Sequence, residues 1–159
     1  MKSASADPPH TSPIGRLVML APLAGVAGTI VFELIALVIA PLILGAPLLP
    51  ARLVVALGGA LTGAELPMLV GWIGHLVAGV VVFPLGYALF LRHVPVRGWV
   101  VAGAVWGVLL WLLAQAVLAP ASGGPFMSGF SAFALVSLAV HQIYALTVAA
   151  GLRMLTRAG

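Results

Sequence analysis

The sequence predicts an all-α membrane protein, an antiparallel bundle of four transmembrane helices, on three observations. The chain has 159 residues, of which 63% are hydrophobic and only 6% charged, whereas about a quarter of the residues of an ordinary soluble domain are charged. Four long apolar segments follow one another, and short stretches with Gly and Pro separate them. This small number of polar side chains cannot cover a water-facing surface. Lipid must therefore surround most of the chain.

Composition also excludes several kinds of chemistry. The chain has no cysteine, which rules out disulfides, thiolate metal sites and cysteine nucleophiles. The net charge is +4 with seven Lys and Arg residues, but these are scattered and form no phosphate-binding stripe, so we expect no nucleic-acid partner. No Gly-rich phosphate loop or Ser-His-Asp constellation is present, which argues against phosphoryl transfer and hydrolysis.

The first element is a polar N-terminal stretch. Residues 1–16 include Lys2, Asp7, His10 and two adjacent prolines, and such a composition buries too little apolar surface to fold. We predict a disordered cytoplasmic tail over 1–16, followed by one transmembrane domain over 17–155.

The four apolar segments are each long enough to span a bilayer, since about 20 residues at 1.5 Å per residue cross 30 Å of hydrocarbon. The predicted helices cover residues 17–44, 66–91, 99–119 and 130–152. The apolar segment 51–64 is too short to span, and we interpret it as a short interfacial helix.

The cations predict the orientation. Six of the seven Lys and Arg residues fall on one side of the predicted bundle, and only Arg52 falls on the other. Because cytoplasmic loops are enriched in Lys and Arg, we expect both termini in the cytoplasm, in a bacterial inner membrane.

The two halves of the chain show a weak internal similarity. An offset of 79 aligns Gly28 with Gly107 and Phe32 with Trp111, and an offset of 66 aligns His75 with His141. A duplicated helical hairpin would explain the match, and so would chance between low-complexity apolar helices.

Small residues predict where helices touch. Gly103 and Gly107 form a Gly-x-x-x-Gly step, and Gly71 and Gly79 lie along the face of the second helix that carries His75. Glycines at such spacing allow close packing, within the bundle or with a partner chain.

Ionisable residues inside the membrane mark the candidate site, because each is costly there. Glu33, His75 and His141 fall at one level of the bundle when the rise per residue is counted. Gln115, Thr29 and Ser137 are the polar side chains predicted to support them.

Three roles for this site stay open. The side chains can form interhelical hydrogen bonds. His75 and His141 can be axial ligands of a b-type haem, or metal ligands together with Glu33. A carboxylate near two imidazoles can also relay protons or line a small-solute conduit.

No residue is predicted to be catalytic. The leading hypothesis is a non-catalytic integral membrane protein, an accessory or scaffold subunit of a larger membrane complex, because small-residue packing is abundant and catalytic side chains are scarce. A membrane-protein partner or a second copy of the chain is the expected partner besides the lipid bilayer. The alternatives are a small b-type cytochrome or metal-binding electron-transfer subunit, and a proton or small-solute conduit.

Three segments carry a family resemblance: Gly71-Trp72-Ile73-Gly74-His75-Leu76-Val77-Ala78-Gly79, the turn Ala119-Pro120-Ala121-Ser122-Gly123-Gly124-Pro125-Phe126, and His141-Gln142-Ile143-Tyr144-Ala145. With these, the chain resembles an uncharacterised group of small bacterial four-helix inner-membrane proteins, and more distantly YagU-like proteins. The resemblance marks His75 and His141 as matching positions and implies no known reaction.

Overall fold

Five helices make up the structure, a computed structural model that describes residues 13–93 and 98–157. Four of them are long and apolar enough to cross a membrane, as the sequence predicts. These are α1 (Ile14–Leu44), α3 (Met68–Phe90), α4 (Trp99–Ala121) and α5 (Ala132–Arg157). The short helix α2 (Pro50–Thr62) lies between the first two. The described parts of the chain contain no strand.

The observed helices extend beyond the predicted ones near both termini of the chain. Within the described residues, helical structure begins at Pro13, so residues 13–16 of the predicted tail are helical, while residues 1–12 lie outside the described residues. α5 continues to Arg157, five residues beyond the predicted end at 152. Arginine favours a helix as well as most apolar residues do, and the Arg153 guanidinium lies 5.6 Å from the centre of the Trp99 ring.

The helix α2 packs back against the start of α3. It begins with Pro50 in the first turn and ends at Gly63 in the left-handed conformation, which are the preferred residues at these two positions. The Ala51 carbonyl oxygen lies directly against Gly71, where any side chain would collide with it. Helix α2 therefore forms part of the bundle wall.

Three of the long helices contain a π-helical turn, and α5 contains none. The turns cover Ile35–Ile39 in α1, Ala78–Val82 in α3 and Leu113–Leu118 in α4. At the offset of 79, the turns of α1 and α4 fall at matching positions, whereas the turn of α3 has no counterpart in α5. The proposed duplication stays a prediction, which the first pair of turns favours and the third turn does not.

The bundle is packed unevenly. α1 lies along both α3 and α5, and α5 lies along α4. α3 and α4 approach closely mainly at the end that carries the chain termini, where the Trp106 ring lies against Gly86 and its centre is 5.6 Å from that of Phe90. Toward the other end, called here the α2 end, the two helices leave a gap.

The interior of the bundle is built from small residues, and large apolar side chains cover its outside. Ala24, Ala36 and Ala145 are fully buried, whereas Leu42 and Leu135 are 82% and 68% exposed. This distribution is expected of helices that pack together within lipid.

The predicted packing glycines make contacts within the chain. A side chain at Gly71 would meet α2, one at Gly79 would meet Thr29, and those at Gly103 and Gly107 would meet α5. These four positions are therefore occupied by the chain's own helices.

Candidate functional site

Glu33 and His75 form a close polar contact between two of the long helices, α1 and α3. The His75 Nε2 atom lies 2.6 Å from Glu33 Oε1, and the two side chains are 12% and 18% exposed. Two arrangements of such a pair hold one proton between the two atoms, an imidazolium with a carboxylate and a neutral imidazole with a carboxylic acid. Both forms are net neutral, which meets the requirement that a charge inside a membrane be paired.

Each member of this pair stands just before a π-helical turn. Glu33 precedes the turn Ile35–Ile39, and His75 precedes the turn Ala78–Val82. A π turn inserts one residue into the helical repeat and re-aims the side chains beside it, and such turns are frequent at functional sites. The second carboxyl oxygen of Glu33, Oε2, is buried without a hydrogen-bond partner among the described residues.

His141 is oriented by its own helix. Its Nδ1 atom lies 2.7 Å from the Ser137 carbonyl oxygen and 3.4 Å from the Ser137 hydroxyl. A carbonyl oxygen can only accept, so His141 Nδ1 carries the hydrogen and donates it. In the neutral imidazole Nε2 is then an acceptor, and it makes no hydrogen bond within the described part of the chain.

A short polar chain continues from His141 toward the α2 end. The Gln115 Nε2 atom donates to the Ser137 hydroxyl at 3.2 Å, and the Ser128 hydroxyl donates to Gln115 Oε1 at 2.6 Å. Two predicted supporting residues, Gln115 and Ser137, are thus bonded to each other. Ser128 is a member of the site that sequence reasoning missed.

Ser128 is held by an unusual left-handed turn. Met127, Ser128 and Phe130 have φ values of 50°, 49° and 56°, and Gly129 lies among them with φ 64°. Only glycine adopts this conformation at no cost, and other residues lose about 1–2 kcal/mol each. Strained backbone of this kind concentrates at functional sites, and here it brings the Ser128 hydroxyl to Gln115.

The Phe32 ring lies close to both histidine rings. Its ring centre lies 5.4 Å from that of His75 and 5.5 Å from that of His141. Tyr144 is 6.2 Å from the same ring, and its hydroxyl donates to the Gly79 carbonyl oxygen at 2.6 Å, within the π turn of α3. The helical spacing that placed the histidines at one level carries no signal for this aromatic contact.

A cavity of about 470 Å³ lies in the gap between α3 and α4, and the first turn of α2 forms one of its walls. Most of its lining is apolar, including Phe83, Leu110 and Leu113. Its volume lies within the usual range of small-molecule sites, and a mainly apolar lining with a few polar groups is typical of them.

The polar groups of this cavity come from all five helices and the left-handed turn. Those that bear on ligand binding are Thr29, Arg52, His75, Gln115, Ser128, Ser137, His141 and Tyr144. Thr29 is 5% exposed, and its hydroxyl has no partner among the described residues. Arg52 is exposed and stands in the first turn of α2, at the rim.

The structure divides the predicted site residues into two groups. His75 pairs with Glu33, and His141 belongs to the chain through Ser137 and Gln115, with Phe32 between the histidines. Glu33 is absent from the cavity lining. Within residues 13–93 and 98–157, no group of three His, Asp or Glu side chains is arranged to hold a metal ion.

The histidines differ in their fitness for a haem iron. His141 has the arrangement typical of a metal-binding histidine, with Nδ1 bonded to a backbone carbonyl oxygen and Nε2 unengaged. His75 has Nε2 engaged by Glu33, so an iron bound through that atom would have to break the pair.

The family relationship rests on nearly the whole chain. A family model, described as a family of unknown function (DUF6789), matches residues 15–159. The chain belongs to the DUF6789 family. This agrees with the predicted resemblance to an uncharacterised family. A search of curated proteins and a search of solved structures each found no match.

Proposed function

We propose that this protein is a non-catalytic accessory protein of the membrane that binds a small lipid-soluble molecule in the cavity between α3 and α4. The cavity itself is the observation that carries the proposal: about 470 Å³ of space inside a bundle whose other helix pairs are closely packed. Its apolar walls suit an apolar body, and its polar groups suit one hydrogen-bonding end.

The uneven packing supports entry from the bilayer. Since α3 and α4 approach closely mainly at the termini end, a molecule dissolved in the lipid reaches the cavity through the gap between them. At the termini end Tyr87 is buried and Trp106 packs against Gly86. Because these large side chains occupy the termini end of the bundle, a binding pocket is favoured over the predicted conduit.

The accessory role remains a proposal that now needs a different contact surface. The glycines that suggested a partner pack within the chain itself, so a partner chain or second copy would have to use the large apolar side chains on the outside. We place the protein in a bacterial inner membrane with both termini in the cytoplasm, and the cation distribution supports this.

Haem binding is the second candidate, and the orientation of His141 favours it. If His141 were an iron ligand, protein expressed with adequate haem would show a Soret band that His141→Ala abolishes. A spectrum without such a band would exclude a haem protein and leave the lipid-soluble ligand as the account of the cavity.

The test of the main proposal is the mass spectrum of molecules that copurify with the protein in mild detergent. Ala114→Phe places a ring in the cavity, and Val117→Phe places the same ring on the outside of the same π turn, where Val117 is 54% exposed. We expect a copurifying molecule with wild type and Val117→Phe and its loss with Ala114→Phe. Identical extracts from all three proteins would contradict the proposal.

A further inference from the structure

The geometry points to a neutral amphiphile with a hydroxyl head group as the ligand of the cavity, bound with its hydroxyl between His141 Nε2 and the Thr29 hydroxyl. This inference rests on the proposed function, and it adds the chemical class of the ligand and the direction in which it binds.

The first step is the acceptor. Because His141 Nδ1 donates to the Ser137 carbonyl oxygen at 2.7 Å, the neutral ring offers Nε2 as an unprotonated nitrogen. His141 lines the cavity. A ligand that donates a hydrogen satisfies this nitrogen, whereas a ligand with only ether or carbonyl oxygens does not.

The second step is the unpartnered Thr29 hydroxyl. Thr29 lines the cavity, and its buried hydroxyl makes no hydrogen bond in the described part of the chain. A side chain at Gly79 would meet Thr29 Oγ1 at 2.7 Å, so the absence of one at Gly79 leaves room for this hydroxyl. Buried polar groups are bonded as a rule, and a ligand in the cavity that Thr29 lines can supply the missing partner.

The third step joins the two groups around Phe32. Thr29 lies one helical turn before Phe32 on α1, and the Phe32 ring lies 5.5 Å from that of His141. One ligand hydroxyl supplies one donor and two acceptor sites. With this donor and acceptor capacity, the proposed hydroxyl donates to His141 Nε2 and accepts from Thr29.

The fourth step is charge. Glu33 and His75 are paired with each other, and Arg52 is exposed at the rim. No unpaired cation among the described lining residues stands beside Thr29 and His141, so an ionised head group placed there would be uncompensated, and this is costly. The head group is therefore neutral, and the apolar tail lies against Phe83, Leu110 and Leu113.

The experiment measures binding of four defined probes to the full-length protein in nanodiscs, by native mass spectrometry and thermal shift. Farnesol and geranylhydroquinone carry a hydroxyl on an aliphatic and an aromatic body. Farnesyl methyl ether cannot donate, and farnesoic acid is charged at neutral pH. We expect at least one hydroxyl probe to bind roughly tenfold more tightly than the ether and the acid, and the better of the two identifies the body.

Variants at Thr29 give the matched control. Thr29→Val keeps the shape and removes the hydroxyl, so the affinity for the hydroxyl probe should fall roughly tenfold, whereas Thr29→Ser should keep it. Thr147→Val is the control, because the Thr147 hydroxyl bonds to the Ile143 carbonyl oxygen of its own helix. Retained binding in Thr29→Val would overturn the assignment of the hydroxyl.

Failure of the ligand class is distinguishable from failure of the cavity. If the ether binds as tightly as the alcohol and Ala114→Phe abolishes both, the cavity binds ligands but the hydroxyl assignment is wrong. If Ala114→Phe leaves binding of every probe unchanged, both proposals are wrong. If no probe binds while a copurified molecule depends on the cavity, the hydroxyl class is wrong.

Discussion

Glu33 is an acidic residue within a membrane-spanning helix, where its side chain must be neutral or paired. Its carboxyl lies between α1 and α3. Among the described residues, one carboxyl oxygen bonds to His75 only, and the second oxygen has no hydrogen-bond partner. A pair of this kind fixes two helices relative to each other while keeping the site net neutral. His75 is thereby held beside the cavity.

At Glu33, two substitutions separate hydrogen bonding from charge. Glu33→Gln keeps a donor and an acceptor of nearly the same shape, so we expect a free energy of unfolding near that of wild type. Glu33→Leu leaves His75 Nε2 unpaired and should cost about 1–3 kcal/mol. Thermal unfolding in detergent measures both, with the exposed Glu65→Leu as the control. Equal stability of wild type and of the Gln and Leu variants would show that the pair contributes nothing to folding.

Met127 tests the strain in the turn that positions Ser128. Glycine has no steric cost at φ 50°, so Met127→Gly should stabilise the protein by about 1 kcal/mol, whereas Met127→Ala keeps a Cβ and should not. The measurement is thermal unfolding of the two variants beside wild type. A loss of stability on Met127→Gly would contradict the left-handed assignment.

At the scale of the elements, glycines and alanines allow the helices to pack closely. The candidate site lies where α3 and α4 do not pack closely, at the α2 end. Where α1 meets α3, a side chain at Gly25 would collide with the Val80 backbone. Where α3 faces α4 at the α2 end, large apolar side chains line the cavity. The difference between these two contacts creates the cavity.

Gly25 tests the close α1–α3 contact. We expect Gly25→Ala to lower the free energy of unfolding by about 1–3 kcal/mol, because the backbones must separate, even though alanine is the better helix former. Ala27→Leu adds more volume to the exposed side of the same helix and should be nearly neutral. If thermal unfolding finds Gly25→Ala as stable as wild type, the close contact is wrong.

Sequence reasoning predicted the elements better than the space between them. Hydropathy and turn residues give the four long helices, and the rise per residue brings Glu33 and His75 near one level. The gap between α3 and α4 depends on how Trp106 and Phe32 pack against distant residues, which no local pattern encodes. The turn at Ser128 was not predicted for a related reason, because Met127 and Phe130 are not residue types that usually adopt a positive φ.

At the scale of the whole molecule, the cavity belongs to the half of the bundle that holds α2, and the cations cluster at the other end. Arg16, Arg153 and Arg157 lie at the termini end of the described chain, whereas Arg52 lies at the α2 end. With the termini in the cytoplasm, the cavity would lie in the outer half of the membrane.

Cysteine labelling tests this orientation without background, because the chain has no cysteine of its own. We expect Ala46→Cys to react with an impermeant reagent added to intact cells, and Arg157→Cys to react only after lysis; both positions are exposed. Position 46 is preferable to the neighbouring Leu48, which is buried. The reverse labelling pattern would place the cavity in the inner half.

The most direct test of the central claim is an experimental density map of the protein taken from its membrane in mild detergent or a lipidic phase. The account predicts α3 and α4 held apart at the α2 end and elongated density in the cavity, with one end beside Thr29 and His141. Helices closed against each other, or a cavity holding only separate water peaks, would contradict it.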